Sequence, residues 1–371
     1  MPSSKPEAAE TPSTSLKGRR RATLRDVAAA LGVSPATVSN AYNRPDQLSA
    51  ELRARILDTA RDLGYWGPDP TARGLRRGAT DVIGVVYADR LSYAFADPAA
   101  ALFLRGVSNA TEALGINLLL LPAAPHPDRE TSSLVHAAAD GFVLYSLADD
   151  APALGLALRR GLPAVLVDVA PRGDVPTVTI DDVGGARSAC EHVLALGHRA
   201  LGVLGLEFDR TRRRGLANAD RQADVPFFVT RERLRGYRSA VEAAGLDWQT
   251  STTVFECAEN LPEEGYEAAM ALLSTETRPT ALLAMSDQLA FGALRAAADL
   301  GLQVPNDVAV VGFDDVPLAE ALGLTTVAQP TFEKGRLAGK LLLARLAGEE
   351  DASPAPLSTT LIVRGSTVRA S

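Results

Sequence analysis

Cysteine is scarce: the 371 residues hold two, Cys190 and Cys257. Neither sits in a CxxC pair or at metal-ligand spacing. No disulfide framework and no metal site can be read from them, and a reducing, cytoplasmic setting fits. Long apolar runs are missing as well. No stretch of 18 apolar residues occurs, so the sequence predicts no membrane span. Histidine is sparse, and His126, His136, His192 and His198 show neither triad nor metal spacing. His198 reads as a surface residue at a helix end. The GxGxxG, P-loop, HExxH and GxSxG patterns are all absent. These absences argue against an enzyme and against any cofactor. The first 21 residues lack the apolar core of a secretory leader and read as a disordered tail. Its end, Lys17 to Arg21, is basic. It is either a phosphate contact or a solvated leader.

Charge is short on the positive side overall, with a formal net of −7. Its distribution is uneven. Residues 1–78 carry 13 Lys and Arg against 8 Asp and Glu, while the rest carries 25 against 37. A basic head on an acidic body is expected where one end alone meets phosphate.

Residues 23–63 read as three short helices. Thr23 is a candidate N-cap, and Leu24, Val27, Ala28 and Leu31 form an apolar stripe. Gly32 ends this helix and Val33 fills the turn. Ser34 caps a second helix, with Pro35 at its first position, where a missing N–H costs nothing. Ser49 caps a third, running from Ala50 to about Gly64 and buried through Leu52, Ile56, Ala60 and Leu63. Helix, glycine turn and capped helix make helix-turn-helix spacing, which a three-helix protein-binding bundle would share. The outer face of the second helix is small and polar: Ser34, Thr37, Ser39, Asn40 and Asn43. Such a face fits a major groove about 12 Å wide. Asn40 can pair with adenine or phosphate. Thr37 and Ser39 can reach phosphates or base edges, Pro35 and Ala36 can touch thymine methyls, and Val38 faces inward.

The segment from Thr23 to Asn40 resembles the head of the LacI/GalR family of repressors. Its continuation through Ser49–Ile56, Leu63–Tyr65 and Pro68–Gly78 is similar too. The resemblance implies that Pro35, Ala36 and Asn40 read bases. It also implies that Leu24, Ser34, Thr37, Ser39, Asn43, Ser49 and Tyr65 lie near the DNA backbone or support the contacts. Residues 66–79 are rich in proline, glycine and arginine and read as a flexible linker. By resemblance, Pro70–Arg77 forms a hinge helix that folds on an operator, with Leu75 wedging a minor-groove step and Ala72 one turn earlier. Gly67 is one residue more than the commoner family spacing.

From residue 80 onward, short β-branched runs alternate with helical stretches. Near-continuous apolar strands separated by helices mean parallel sheets covered on both faces. Two series of such units predict an α/β body of two doubly wound subdomains, with a ligand cleft outside the strand carboxyl ends. Later segments, among them Ser286–Gly292, Val311–Asp315 and Leu324–Pro330, are similar to signatures of the same family. The resemblance implies a periplasmic-binding-protein-like body of type I with three crossovers. The expected organisation is a tail (1–21), a helix-turn-helix domain (22–66), a hinge (67–79) and an effector and dimerisation domain (80–371). Within the last, one subdomain covers about 80–180 and 330–357, the other about 181–329 and 358–371.

Asp168, Arg233, Ser286 and Asp314 match the family's ligand contacts, though Ser286 stands where many relatives have asparagine. Carboxylates and a guanidinium facing one cleft can hold a sugar's hydroxyls, or form a structural ion network. Tyr93 and Phe95, in a loop after the first strand, can stack on a ring or pack within the loop. Asp97 can simply cap the helix beginning at Pro98. About 25 residues intervene between the strand at Leu201–Leu204 and the helix near Arg231, more than in relatives. Residues 206–230 read as a disordered surface insertion, or else a lid or a further basic contact. The chain is thus expected to be a cytoplasmic, homodimeric repressor. It would read a pseudo-palindromic operator under control of a small sugar or related metabolite. A transporter's solute-binding protein is the second reading, and the helix-turn-helix head argues against it.

Overall fold

Thr23 and Asp26 open the first helix by reciprocal exchange. The Thr23 N–H donates to Asp26 Oδ2 at 2.7 Å, and the Asp26 N–H donates to Thr23 Oγ1 at 3.4 Å. This capping box satisfies donors that a helix start leaves unpaired. The structure, a computed structural model, describes residues 22–67, 78–88, 91–123, 133–349 and 352–370, with the backbone alone at Ser92 and Tyr93. The expected tail, 1–21, lies outside them. Two compact units divide the chain, Met1–Thr80 and Asp81–Ser371.

In the first unit, α1 (Leu24–Leu31), α2 (Pro35–Asn43) and α3 (Ala50–Asp62) enclose a small core. Gly32 ends α1 in the left-handed conformation, at φ 66°, where a side chain would be strained. Val27, Val38, Ala41, Ile56 and Ala60 are fully buried. Leu63 departs from expectation: it is 43% exposed, because α3 ends at Asp62 and Leu63 is its C-cap.

The second unit holds two sheets. β1 (Val82–Tyr87) is followed by α4 (Leu91–Ala96) and α5 (Pro98–Thr111), then β2 (Asn117–Pro122) and β3 (Gly141–Tyr145). Next come α6 (Pro152–Arg159), β4 (Ala164–Val167) and β5 (Thr177–Val178). These strands make a parallel sheet in the order β2-β1-β3-β4-β5. The chain then runs through α7 (Asp182–Ala195), β6 (Leu201–Gly205), β7 (Gly215–Leu216), α8 (Ala219–Ala223) and α9 (Phe228–Ala243). After these follow α10 (Trp248–Ser251), β8 (Thr252–Glu256), α11 (Pro262–Leu273), β9 (Ala281–Ala284) and α12 (Asp287–Asp299). β10 (Ala309–Asp314), α13 (Pro317–Ala321), β11 (Thr325–Ala328), α14 (Thr331–Leu346) and β12 (Thr360–Ile362) complete the unit. The second sheet has the order β12-β11-β10-β9-β6-β8-β7. Its interior is parallel, and only the edge strands β7 and β12 run antiparallel to their neighbours.

The chain passes between the two halves three times. It leaves the first sheet after β5, returns in α14, and goes back as β12 beside β11. α14 packs against α5 of the first half. Glycines permit that approach: a Cβ on Gly106 would strike the Phe332 carbonyl, and one on Gly335 would strike that of Phe103. Two of the crossings pair with each other, the Asp181 N–H donating to the Leu357 carbonyl at 2.8 Å.

Three further expectations need correction. Residues 91–96 form a helix, not a loop. His198 is buried, its Nδ1 2.9 Å from Thr280 Oγ1 and its Nε2 3.0 Å from the Val368 carbonyl. The C-terminal tail folds back over that helix end, the Ala370 N–H donating to the Leu196 carbonyl at 2.9 Å. The third concerns 206–230, which carries regular structure. β7 pairs with β8, α8 follows, and Phe208 and Val225 are buried.

Candidate functional site

In the first unit, α2 is fixed from both ends. The Thr37 N–H donates to Ser34 Oγ at 3.0 Å, and the Arg44 N–H donates to the Asn40 carbonyl at 2.9 Å. Arg53 Nε donates to the Ala41 carbonyl at 3.3 Å, tying α2 to α3. Val38 and Ala41 face the core, so the opposite face is presented outward. Ser34, Pro35, Ala36 and Asn43 are exposed, and Thr37, Ser39 and Asn40 half-buried. Asn40 Nδ2 donates to Gln47 at 3.2 Å, and Asn43 Nδ2 to Ser39 at 3.1 Å. Each of these bonds is solvent-facing and can be exchanged for a bond to a base or phosphate. Ser49 is exposed at the start of α3, where it accepts from the Leu52 N–H at 3.2 Å. Leu24 is half-buried and packs on the core. Tyr65 is buried, edge-on to Tyr42 with ring centroids 5.8 Å apart, so it supports the head from beneath. Ala72, Leu75 and the rest of the expected hinge helix lie outside the described residues.

In the second unit, a cavity of about 460 Å³ opens between the two sheets. Its walls are residues at the strand carboxyl ends: Tyr87 of β1, Tyr145 of β3, Asp168 after β4, Ser286 after β9 and Asp314 of β10. Both sheets reverse strand order at their first strand, and clefts of ligand-binding α/β sheets form at such points. Four wall residues, Ser146, Asp168, Arg212 and Asp314, have positive φ, at 53°, 54°, 53° and 127°. Non-glycine residues rarely adopt that conformation, and it gathers at functional positions.

Asp168 Oδ2 lies 2.5 Å from Lys334 Nζ, and Lys334 donates also to Gln329 at 3.0 Å. The other oxygen, Asp168 Oδ1, is buried without a hydrogen-bond partner among the described residues. Arg233 Nε donates to Asp182 at 2.8 Å, another of its nitrogens reaches the Met285 carbonyl, and its guanidinium lies 3.5 Å from the Phe313 ring centroid. Burial opposes its charge, yet Asp182 and Asp314 hold Arg233 above its ordinary value. Asp314 accepts from Gln329. Burial pushes its carboxyl well above the usual range, with Arg233 opposing. Ser286 caps α12 and donates to Asn260. Tyr145 stacks on Phe103 at 4.0 Å and has Lys334 5.8 Å above its ring, so an apolar floor meets a charged wall.

The structure therefore brings Asp168, Arg233, Ser286 and Asp314 together around one cavity. Phe95 is 69% exposed and is not among the lining residues. Residues 91–96 coil into a helix and turn it outward. The side chain of Tyr93 lies outside the described residues. Asp97 does cap α5, accepting from the Ala99 N–H at 2.9 Å, and lines the cavity as well. Sequence reasoning passed over Lys334, Gln329, Asn260, Tyr87 and Tyr145. One signal was available. Thr331, Lys334, Gly335, Ala338, Leu341 and Leu342 make the buried stripe of α14, and a lysine in an apolar stripe needs a buried partner. No group of three metal-ligating side chains occurs among the described residues. None of their helices is long and apolar enough to cross a membrane.

Comparison with known proteins bears on both units. A family described as "Bacterial regulatory proteins, lacI family" matches residues 23–67, and a periplasmic binding protein-like domain matches 190–367. The chain is 47% identical over 329 residues to an HTH-type transcriptional regulator of Mycobacterium tuberculosis (strain ATCC 25618 / H37Rv), covering 88% of this chain and 91% of that one. It is similar to a solved complex of the transcriptional regulator CelR with cellobiose. There the TM-score is 0.65 at 30% identity, over 93% of this chain and 100% of that one. It is also similar to the lac repressor dimer bound to operator and an anti-inducer. The TM-score is 0.72 at 25% identity, over 94% of this chain and 100% of that one.

Proposed function

The chain belongs to the LacI family of bacterial transcriptional regulators, and from that membership we propose that it is a repressor whose hold on DNA is set by a sugar-like effector. It is a regulator and not an enzyme, as its relatives are named. The repressor role, the pseudo-palindromic operator, the homodimer and the effector class are the proposal. Cytoplasmic residence goes with it.

The head meets the operator through α2. Asn40, Pro35 and Ala36 face base edges, while Ser34, Thr37, Ser39, Asn43 and Ser49 lie near phosphates. Leu24 and Tyr65 brace the helix from the core side. Residues 67–79 are the hinge, with Leu75 as the minor-groove wedge and Ala72 beside it. Dimeric heads on two half-sites explain a palindromic target.

One observation carries the effector half of the reading: ionic side chains converge on a cavity of ligand size. Pockets of about 300–1,000 Å³ are typical for small molecules. Asp168 and Asp314 can accept from ligand hydroxyls while Lys334 and Arg233 donate to the same ligand, bonds that the charged groups strengthen. Asp168, Arg233, Ser286 and Asp314 are the proposed contacts. A molecule seated between both halves favours one relative placement of them. It thereby changes operator affinity by whatever difference it shows between the two placements.

Footprinting on the DNA upstream of its own and neighbouring genes tests the operator half. A protected palindrome is expected, and its absence at moderate salt argues against the reading. A thermal-shift screen with sugars and related metabolites tests the other half, since a ligand of the folded state raises the melting temperature.

A further inference from the structure

The segment 206–230 carries regular structure and touches both halves of the second unit. Its anchors lie in its own half. Phe208 and Val225 are buried. Arg221 bridges Asp209, at 2.6 Å, and Glu256. Arg214 pairs with Glu264 and Arg212 with Glu259. Gln222 of α8 accepts from Trp248 Nε1 at 2.8 Å. A segment held by this many ion pairs keeps its shape.

From that base it reaches across the cleft. Arg210 straddles the Asp150 carboxylate, Nε and Nη2 each 3.2 Å from an oxygen. Next to it, Arg231 Nη1 donates to Asp149 Oδ2 at 2.9 Å and to the Val225 carbonyl at 2.9 Å. The Asp149 N–H donates to the Pro226 carbonyl at 2.8 Å. Asp149 and Asp150 stand between β3 and α6, in the other half. Glu207, Asp209, Arg210, Arg212 and Phe227 of the insertion line the cavity itself.

We propose that residues 206–230 form a flap over the mouth of the effector cleft, latched to the opposite half by Arg210–Asp150, with Arg231 at the start of α9 holding the neighbouring Asp149, and that this latch controls passage into the cavity. The proposal rests on reading the cavity as a ligand site. The Arg210–Asp150 side chains are 50% and 56% exposed, so the pair is weak and salt-sensitive. Weakness suits a latch, which must open often without unfolding anything. The segment's firm anchoring keeps the opening local.

The test needs no effector. Ala99 lines the cavity and is buried, and the two native cysteines are buried as well. A cysteine placed by Ala99→Cys in the full-length protein is modified with N-ethylmaleimide, and the rate is followed. Arg210→Gln and Asp150→Asn are each expected to speed modification by about fivefold, as loss of an exposed pair allows. Raising the salt should speed the parent by a larger factor than the variants, which keep only the Arg231–Asp149 pair. The exchanged pair, Arg210→Asp with Asp150→Arg, should restore slow modification. Cys190 and Cys257 report folding in every sample, and their reactivity stays low. Unchanged rates in the single variants overturn the latch. So does acceleration that the exchanged pair fails to reverse, since that is general loosening. A failed sugar screen, by contrast, would overturn the effector reading and leave these rates as they are.

Discussion

Lys334 and Asp168 form a buried ion pair in the cavity wall, the two side chains 3% and 4% exposed and their charged atoms 2.5 Å apart. The pair joins the end of β4 to the first turn of α14, the element by which the chain returns to the first half.

Breaking that pair leaves a charge buried without a partner. Lys334→Met is expected to destabilise the effector unit by about 3–5 kcal/mol. Adding Asp168→Asn should recover much of the loss, since the double variant buries no net charge. Urea denaturation of the four proteins in the cycle measures the coupling. Simple additivity of the two changes would contradict it.

The contact of α5 with α14 leaves no room for a side chain at three positions, Gly106, Gly335 and Gly339. Gly335→Ala drives a methyl into the Phe103 carbonyl and should cost about 1–3 kcal/mol. Gly348→Ala makes a useful contrast: no atom lies within 4 Å of a Cβ there, and its strain comes only from a φ of 81°. Thermal melts of both variants compare collision with backbone strain. A neutral Gly335→Ala would mean the helices are less closely packed than described.

Burial raises the Asp287 carboxyl from 3.8 to about 6, against the opposing hydrogen bonds from the Thr326 hydroxyl and the Val316 N–H. Burial also raises Asp182 to about 6, with Arg233 opposing. Such carboxyls hold their protons more tightly when folded. Their contribution to stability is full below the unfolded value and is lost as pH rises through about 6. His198 acts with the opposite sign. Burial lowers its value, so its contribution is lost as pH falls below 6.5. Asp287→Asn separates the two. Between pH 5 and 7.5 its unfolding free energy should lose less than the parent's, by about 1.4 kcal/mol. Parallel pH profiles would contradict the assignment.

The Ser34 N-cap fixes the start of α2. Ser34→Ala removes the acceptor of the Thr37 N–H and should cost the head about 1 kcal/mol. Helical circular dichroism of an isolated fragment 22–67, if unchanged on heating relative to the parent, would contradict this.

Much of this was legible in the sequence because local chemistry repeats the global arrangement. Gly32, Ser34 and Pro35 mark the end of α1 and the start of α2 by backbone requirement alone. Runs such as Val82–Tyr87 and Val308–Gly312 read as buried parallel strands because they are nearly continuous apolar residues, and the strands observed there are buried but for the half-buried Val82. Segment 206–230 misled for the reverse reason. Its Arg, Asp and Ala residues resemble a solvated loop, and its order comes from ion pairs to Glu256, Glu259 and Glu264, distant in sequence. Lys334 was missed because its partner Asp168 lies 166 positions away. Phe95 misled because an aromatic residue near a cleft says nothing of which way a short helix turns it.

The most direct test is to select DNA from a random pool with the full-length protein and titrate the recovered sequence by fluorescence anisotropy, for the parent and for Asn40→Ala. The account predicts a pseudo-palindrome bound steeply less well as salt rises, with sequence preference lost in Asn40→Ala while weak, salt-dependent binding persists. Recovery of no preferred sequence, or equal preference in both proteins, would contradict it.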